Sequence, residues 1–388
     1  MRLLAAFDKF KDSISASKAC DEAAAAVASA RPDWEVDMCP LADGGEGFAD
    51  ILTRAARGRE FRSAVTGPRG GEVVAGFGIV PVARIPAGAL ALIGQAGAGP
   101  GRTVAVLEMA AASGLALLAP WMRDPMLASS IGTGQLISAA ARSGVHAILL
   151  GIGGSATHDL GLGALGALGV EFLAESGARL ESPVPADWPR ILGIDGRVSE
   201  LVPPIVIACD VENPLLGPSG ALAVYGPQKG LKPADAMALE AQSARIASMV
   251  CRHFGRKESL AAERGAGAAG GVAFGLMAGA GARILPGFDL VASWLDLDAR
   301  LAAADVVVTG EGRFDDSSLS GKGPGAVARR ALALGKPVHV FAGRVALTRP
   351  IPGLSTHSVT PPGMELHEAL SKAPALLFAA VRETMARL

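Results

Sequence analysis

Short apolar runs alternate with polar or glycine-rich clusters along the whole chain, and their lengths predict alternating strands and helices. Residues 2–7 form an apolar run of strand length, and residues 36–40 form another. Between them, residues 15–31 form an alanine-rich segment that predicts a helix beginning near Ser13 or Ser15. This β-α-β order favours a parallel sheet at the start of the chain.

The middle of the chain has a different pattern. From Phe61 to Gln95, segments 62–68, 72–80 and 89–95 are separated by Gly/Pro turns and predict a β-meander. Helices are predicted around 106–113 and from the 129–134 segment through Arg142, and strands at 147–150 and 204–208.

The last third returns to an alternating pattern. One long helix is predicted at 233–254, and an apolar helix follows the 265–271 glycine segment. Strands are predicted at 304–308, 337–341 and 357–360, with a helix at about 325–334.

The simplest assembly is α/β, with two α/β domains. A Rossmann-like parallel-sheet domain is formed by the N- and C-terminal parts, residues 1–60 plus 285–388, and residues 61–284 form an inserted second α/β domain with a mixed sheet. The active site is expected in the cleft between them. A linear division into two successive domains is the alternative.

Composition narrows the functional classes. Of 388 residues, 50% are hydrophobic and 19% are charged, and the net charge is −1, so no charged field favours nucleic acid or a membrane surface. The aromatic content of 4% offers few stacking platforms for bases.

The chain shows neither an export signal nor a metal-binding cysteine pattern. The N-terminal apolar run is broken at Asp8, Lys9 and Lys11, too early for a signal peptide, and no apolar stretch reaches the length of a membrane span. The four cysteines lie far apart without a Cys-x-x-Cys pair, which predicts buried structural thiols. A cytoplasmic protein is expected.

The segment from Ala147 to Gly169 predicts a strand, a glycine turn and a helix start. Gly151, Gly153 and Gly154 leave backbone N–H groups uncovered, and Ser155 and Thr157 are candidate caps, with Asp159 in or near the first helical turn. Such N–H groups and the helix dipole together predict an anion site. An ordinary βα turn in a glycine-rich protein is the alternative.

Polar clusters follow three other predicted strands. They are Asp8–Ser13, Asp43–Gly47 and Asp210–Asn213. Ligands of open α/β sheets bind outside the carboxyl ends of the strands, where such lysines and carboxylates would hold a phosphate and Mg²⁺. Solvated polar loops are the alternative for each cluster.

Glycine fingerprints leave a second enzyme class open. The pattern G-x-G-x-x-G/A occurs at 151–156, 161–166 and 265–270, but only the first follows a predicted strand. Glu171 is a possible ribose-binding acid, so a nicotinamide-dependent dehydrogenase remains an alternative. No Walker pattern surrounds Gly321-Lys322, so nucleotide-triphosphate chemistry requires another kind of site.

A series of blocks resembles the bacterial glycerate kinase family, type I. The blocks are DKFKDS at 8–13, PLADGGEGF at 40–48, GIGGSAT-x-D at 151–159, ACDVENPLLGPSGA at 208–221, YGPQKG at 225–230, GAGAAGG at 265–271, and TGEGRFD at 309–315 with GK at 321–322. They fall in the same order over residues 8–324, and together they are highly specific.

The resemblance implies phosphorylation of D-glycerate with ATP and Mg²⁺, usually to 2-phosphoglycerate, by two α/β domains with the active site between them. Two departures stand out. His158 replaces the usual Asn and Leu160 the usual Gly after GGSAT, and Phe314-Asp315-Asp316 replaces a more common Ile-Asp-Ser. His158 lies nearest the chemistry and is expected to affect substrate selectivity more than the reaction.

Phosphoryl transfer mainly requires positioning and charge neutralisation. The nucleotide phosphates are therefore expected over Gly153-Gly154-Ser155 with help from Lys9 or Lys11, and Mg²⁺ at Asp43 or Asp210. A nearby carboxylate would take the hydroxyl proton, and which acid does so stays open. Arg313, Lys322 or the 153–157 turn would bind the carboxylate of glycerate.

The residues expected in the chemistry are thus Asp210, Asp43, Lys9 and Arg313. Further binding candidates are Asp8, Lys11, Ser13, Gly44, Gly45, Glu46, Gly153, Gly154, Ser155, Thr157, Asp159, Asn213, Glu311, Asp315 and Lys322.

Besides the dehydrogenase, a non-catalytic two-lobed binding protein for small organic anions is an alternative. The expected partners are ATP and D-glycerate, with no nucleic acid or membrane, and a homo-oligomer is compatible with the sequence.

Overall fold

The computed structural model describes residues 1–320 and 323–388. The strands are β1 Arg2–Phe7, β2 Glu35–Met38, β3 Arg59–Thr66, β4 Glu72–Pro81, β5 Thr103–Glu108, β6 Ala147–Gly151, β7 Val170–Leu173, β8 Arg179–Leu180, β9 Gly193–Gly196, β10 Ile205–Ala208, β11 Arg283–Leu285, β12 Val306–Asp315, β13 Val338–Ala346 and β14 Leu354–Ser358.

The α-helices follow in the same chain order. They are α1 Ala16–Ala30, α2 Phe48–Ala55, α3 Ala87–Leu92, α4 Ala110–Ser113, α5 Ile131–Arg142, α6 Leu162–Ala167, α7 Ala221–Tyr225, α8 Pro233–His253, α9 Ala268–Ala280, α10 Gly287–Trp294, α11 Leu297–Ala303, α12 Gly323–Ala333 and α13 Leu366–Arg387.

The chain divides into two compact units. Unit 1 comprises Met1–Asp43 and Val291–Leu388, and unit 2 comprises Gly44–Leu290. These boundaries differ from the predicted ones near residues 60 and 285. Helix α2 belongs to unit 2 because it packs on β4 and β5, and the second boundary falls within α10.

Unit 1 is built on a five-stranded sheet of order β14-β13-β12-β1-β2 in which every neighbouring pair is parallel. Alternate residues of β1 and β12, such as Leu3, Ala5 and Val308, join a core with the apolar faces of α1 and α13. Leu4 and Val307, which point the other way, are also buried. Both sheet faces are therefore covered, as a parallel sheet requires.

Unit 2 contains a six-stranded sheet of order β11-β10-β6-β5-β4-β3. The β3–β4 and β4–β5 pairs are antiparallel, whereas β5–β6, β6–β10 and β10–β11 are parallel. A small antiparallel sheet, β8-β7-β9, adds to the unit. The prediction of two α/β units, one with a parallel sheet from both chain ends and one inserted with a mixed sheet, is confirmed.

Three predicted elements were wrong. Residues 89–95 were expected as a strand, but α3 covers most of that segment because its Ala/Leu sequence favours a helix after Pro86. Residues 106–108 were expected in a helix but end β5, whose apolar run is buried between β4 and β6. Only Ala110–Ser113 is helical there.

The third error concerns the glycine fingerprint. No helix opens within residues 151–156; the next one, α6, begins at Leu162 and is six residues long. Its N-cap is Gly161, in the left-handed region with φ +75°, so neither Ser155 nor Thr157 caps it. The structural context that a dinucleotide fingerprint requires is therefore missing at this turn.

All four cysteines are buried thiols that form no disulfide, as predicted. Within the described part of the chain, no helix combines the length and the hydropathy that crossing a lipid bilayer requires.

Candidate active site

A glycine turn follows β6 and packs directly against a second glycine segment of unit 2. Gly153 donates its backbone N–H to Gly44 O at 2.9 Å. A Cβ on Gly153 would lie 2.7 Å from Gly45 Cα, closer than real Cβ atoms approach other atoms. Gly154 has φ +72° and is exposed. The turn therefore presents bare backbone at its tip, where a ligand can approach closely.

The Lys229 ammonium lies buried against this turn. Nζ donates to Ser155 Oγ at 2.8 Å and to Thr157 O at 2.7 Å, and the residue is only 4% exposed. Burial lowers the pKa of Lys229 to about 7, and the charge of Asp159 acts in the opposite direction. An ammonium has three N–H groups, and the described residues supply acceptors for two. The site thus combines open backbone with a buried cation, which suits an anion.

The loop before Lys229 is fixed by the candidate residue Asn213. Asn213 Nδ2 donates to Ser219 O at 2.8 Å, and its Oδ1 accepts the hydroxyl proton of Tyr225 at 2.7 Å. The short helical turn Pro227–Lys229 then ends at Gly230, whose φ of +90° favours glycine. Asn213 therefore uses both ends of its amide to hold the loop that leads to Lys229.

Lys229 was missed among the candidate site residues. It lies within the YGPQKG block at 225–230, which carries part of the family resemblance. That block was the available signal, but the burial of its lysine is a property of the fold, and lysine is rarely buried.

Asp159 is enclosed by protein groups. Its Oδ2 accepts the backbone N–H and the hydroxyl of Ser130, each at 2.7 Å, and the N–H of Gly163 at 3.2 Å, while Oδ1 accepts the Gly161 N–H at 3.1 Å. Burial raises its pKa, whereas these hydrogen bonds lower it. Thr157 Oγ1 similarly donates to Ala269 O at 3.3 Å. In this structure both side chains fix the segment after the turn.

His158 is a core residue rather than a surface or capping residue. Its Nε2 lies 3.1 Å from Ser243 Oγ, and its ring centroid lies 6.4 Å from that of Trp188. Since the Ser243 hydroxyl donates to Leu239 O, it accepts from His158, which fixes the proton on Nε2. Burial and nearby Lys229 lower the pKa of His158 to about 3, so the ring is neutral.

The Gly44–Glu46 segment, which was predicted as part of the site, packs against the ends of β6 and β10. Gly44 has φ +96°, and a Cβ there would collide with Ala208 O at the end of β10. Glu46 is exposed, and its Oε1 lies 3.5 Å from the position that a Cβ of Gly154 would take. Gly44, Gly45 and Glu46 therefore lie beside Gly153 and Gly154, although β2 and β6, the strands that precede the two segments, belong to different sheets.

Asp210, which follows β10, binds the start of α10. Its Oδ1 accepts the Gly287 N–H at 3.1 Å and its Oδ2 accepts the Phe288 N–H at 3.0 Å. The two bonds orient the carboxylate.

In unit 1, carboxylates gather just beyond β1 and β2 and at Glu311 in the interior of β12. Asp8 follows β1 and accepts the Lys9 N–H at 2.7 Å. Burial and then the charge of Asp43 raise the pKa of Asp8 to about 7, with a smaller contribution from Glu311. Burial also raises the pKa of Glu311, and the charges of Asp315 and Asp43 add to it. This acidic group consists of Asp8, Asp43 and Glu311.

The other candidates of unit 1 are more exposed or engaged within the unit. Lys9 is half-buried and Lys11 is exposed. Ser13 Oγ donates to Leu370 O at 3.1 Å. Arg313 Nε donates to Asp315 Oδ2 at 2.8 Å, within β12, which extends beyond the strand predicted at 304–308. The remaining candidate, Lys322, lies outside the described residues.

The oxygen-rich acidic group is chemically suited to a hard divalent cation. Carboxylates that raise one another's pKa are stabilised by added positive charge. Within residues 1–320 and 323–388, no three His, Cys, Asp or Glu side chains form a ready-made metal cage. Mg²⁺ in phosphate-transfer sites usually has only one or two carboxylate ligands together with water and phosphate oxygens, so the donors present fit it.

Comparison with known proteins identifies relatives over nearly the whole chain. The model of the glycerate kinase family matches residues 3–388. A glycerate kinase from Haemophilus influenzae is 38% identical over 350 residues, covering 88% of this chain and 86% of the relative. A glycerate 2-kinase from Escherichia coli K12 is 38% identical over 352 residues, covering 88% and 85%.

The same similarity extends to the three-dimensional structure. The crystal structure of a protein assigned as glycerate kinase 2 from Salmonella typhimurium LT2 superimposes with a TM-score of 0.78 at 36% identity, covering 100% of this chain and 98% of that chain.

We predict that Lys229 makes stability depend on pH. Its pKa is about 7 in the folded chain, against 10.5 for an unperturbed lysine. Between these values the unfolded chain binds more protons, so stability rises with pH. The advantage of the wild type over Lys229→Met in free energy of unfolding should therefore grow from pH 7 to 10, by up to about 1.4 kcal/mol per pH unit.

Urea denaturation of both proteins at several pH values measures this difference. Lys229→Arg is the matched control, because an arginine stays protonated throughout that range. Parallel stability curves for the wild type and Lys229→Met would contradict the prediction.

Proposed function

The chain belongs to the glycerate kinase family, and from that premise we propose that it transfers the γ-phosphoryl group of ATP to the 2-hydroxyl of D-glycerate, with Mg²⁺, by in-line displacement. The observation that carries this proposal is the Lys229 ammonium under the Gly153–Thr157 turn. A dehydrogenase is disfavoured by the missing fingerprint helix.

We assign the nucleotide phosphates to the Gly153-Gly154-Ser155 turn. Its tip lacks side chains that would block close approach, and Gly154 is exposed. An approaching phosphate favours the protonated form of Lys229 and so raises its pKa. The ammonium then offsets the phosphate charge directly or through Ser155 Oγ, which it already holds in place. Lys9 and Lys11 remain candidates for further phosphate contacts.

Carboxylates supply the acidic part of the proposed mechanism. Asp43 and Asp210 are the candidate Mg²⁺ ligands, and the metal, when bound, would neutralise charge on the transferred phosphoryl group. Asp210 is held in a fixed orientation by two backbone N–H groups of α10. Asp8 and Glu311 surround Asp43 with negative charge, which favours cation binding there. One of these carboxylates accepts the proton of the glycerate hydroxyl.

Arg313 is our candidate for the carboxylate of glycerate. Among the described residues, Asp315 binds only its Nε, which leaves two terminal nitrogens for a planar, bidentate pair. Lys322 and the backbone of the 153–157 turn are the other candidates for this role.

The reaction itself is tested by phosphorus NMR of the protein incubated with ATP, Mg²⁺ and D-glycerate. We expect a new phosphomonoester signal that grows together with ADP, split by the single proton on C2 of glycerate. A control without glycerate should show neither. A signal split by two protons would identify the 3-hydroxyl as acceptor, and an unchanged spectrum of the folded protein would contradict the proposed substrate.

We further expect Asp43→Asn and Asp210→Asn each to lower turnover by about 10²-fold or more and to raise the Mg²⁺ concentration for half-maximal rate, because a carbonyl oxygen binds the metal more weakly than a carboxylate. Exposed Asp33, outside the proposed site, supplies the matched control Asp33→Asn.

Initial rates across a Mg²⁺ titration measure both effects. Thermal unfolding separates lost chemistry from a weakened start of α10 in Asp210→Asn. Near-normal turnover and Mg²⁺ dependence in both aspartate variants would eliminate these two residues as ligands.

A further inference from the structure

A groove of about 390 Å³ opens in unit 2 beside the glycine turn. Helix α2, strands β3 and β4, Glu108 at the end of β5, and Ala111 of α4 supply its walls. Its volume is within the range of roughly 300–1,000 Å³ that is typical of small-molecule sites. None of the candidate residues for the kinase reaction lines it.

The groove lies next to the strand end that leads into the proposed phosphate turn. Glu108 pairs in register with Gly151, the last residue of β6 before the turn. Its Oε2 accepts the backbone N–H of Ala49, at the start of α2, at 3.0 Å. A Cβ on Gly154 would lie 3.4 Å from Ala110 Cβ, next to Ala111 in the groove wall. The turn and the groove therefore share one edge of the sheet, where ligands of α/β folds bind.

The polar lining of the groove is rich in hydrogen-bond acceptors. Three carboxylates line it, those of Asp50, Glu60 and Glu108, with one lining arginine, Arg62. Arg54 pairs with Asp50 at 2.5 Å and with Glu60 at 3.7 Å, so part of their charge is offset. The carboxylate oxygens suit an uncharged group with amino and hydroxyl donors, because they accept hydrogen bonds from both.

The wall that β4 contributes is partly bare backbone. Gly76 is on the sheet face opposite the core residue Ala75, and a Cβ there would meet only Phe61 O, at 3.7 Å. Thr53 packs directly over Gly78, the second glycine of this wall. A flat ring therefore has room at Gly76, and a Cβ at that position would displace no protein atom.

We propose that this groove binds the ribose and purine of ATP while its phosphates lie at Gly153 and Gly154. This assignment rests on the proposed function, since it takes the phosphate turn as the other half of the nucleotide site. The hydroxyl groups of the ribose and the amino group of the purine donate to the lining carboxylates, and the ring lies against the backbone of Gly76.

The test is calorimetric titration of ATP, adenosine and inorganic tripolyphosphate into the wild type, Gly76→Leu and Gly71→Leu. Gly71 is the matched control because it is exposed, has open space around its Cβ position and does not line the groove. We expect Gly76→Leu to weaken ATP and adenosine binding by about tenfold or more, while tripolyphosphate binding stays within about twofold. Gly71→Leu should match the wild type for all three ligands.

Wild-type affinity of folded Gly76→Leu for ATP and adenosine would overturn the assignment, and so would an equal loss of tripolyphosphate binding. Photocrosslinking of the wild type with 8-azido-ATP gives a second readout that needs no variant. Labelling within residues 49–62, 74–78 or 108–111 supports the groove, and labelling only elsewhere overturns it. Phosphoglycerate formation by the wild type is scored separately, so the kinase proposal and the groove proposal fail independently.

Discussion

The buried ammonium of Lys229 is the interaction around which the glycine turn of unit 2 is arranged. Removing an ammonium from water is costly unless it is paired and hydrogen-bonded. Here Ser155 Oγ and Thr157 O accept two of its protons, and nearby Asp159 favours its charge. Asp159 in turn is held by Ser130, Gly161 and Gly163. A single buried charge thus links the loop before α8 to the segment between β6 and α6.

Glycine makes this arrangement possible by letting backbone pack on backbone. A Cβ on Gly44 would overlap Ala208 O, and a Cβ on Gly153 would approach Gly45 Cα too closely. These contacts bring Gly44 and Gly45 against the ends of β6 and β10, all within unit 2. Because glycine has no side chain, the backbone is accessible at Gly154 and at Gly76. We place the phosphates of ATP at Gly154 and its nucleoside at Gly76.

The sequence predicted the helices and strands correctly where the length of an apolar run and its periodicity indicated the same kind of element. The strand at 147–150, the long helix α8 and the return of the C-terminal strands to the first sheet follow from patterns that local physics determines. It failed at residues 89–95, where a short Ala/Leu segment fits either a helix or a strand. It also failed at residues 106–108, where the pairing of β5 with both β4 and β6 decides the outcome. Lys229 was missed because only the fold brings it next to Ser155, 74 residues away in the chain.

Equilibrium binding of tripolyphosphate to the wild type, Lys229→Arg and Lys229→Met tests the role of the buried charge most directly. Our account predicts that Lys229→Met, with its native secondary structure intact, loses about tenfold or more in affinity, and that Lys229→Arg retains part of it because the positive charge remains. Equal affinity in all three folded proteins would contradict the claim that Lys229 supplies the charge of a phosphate site.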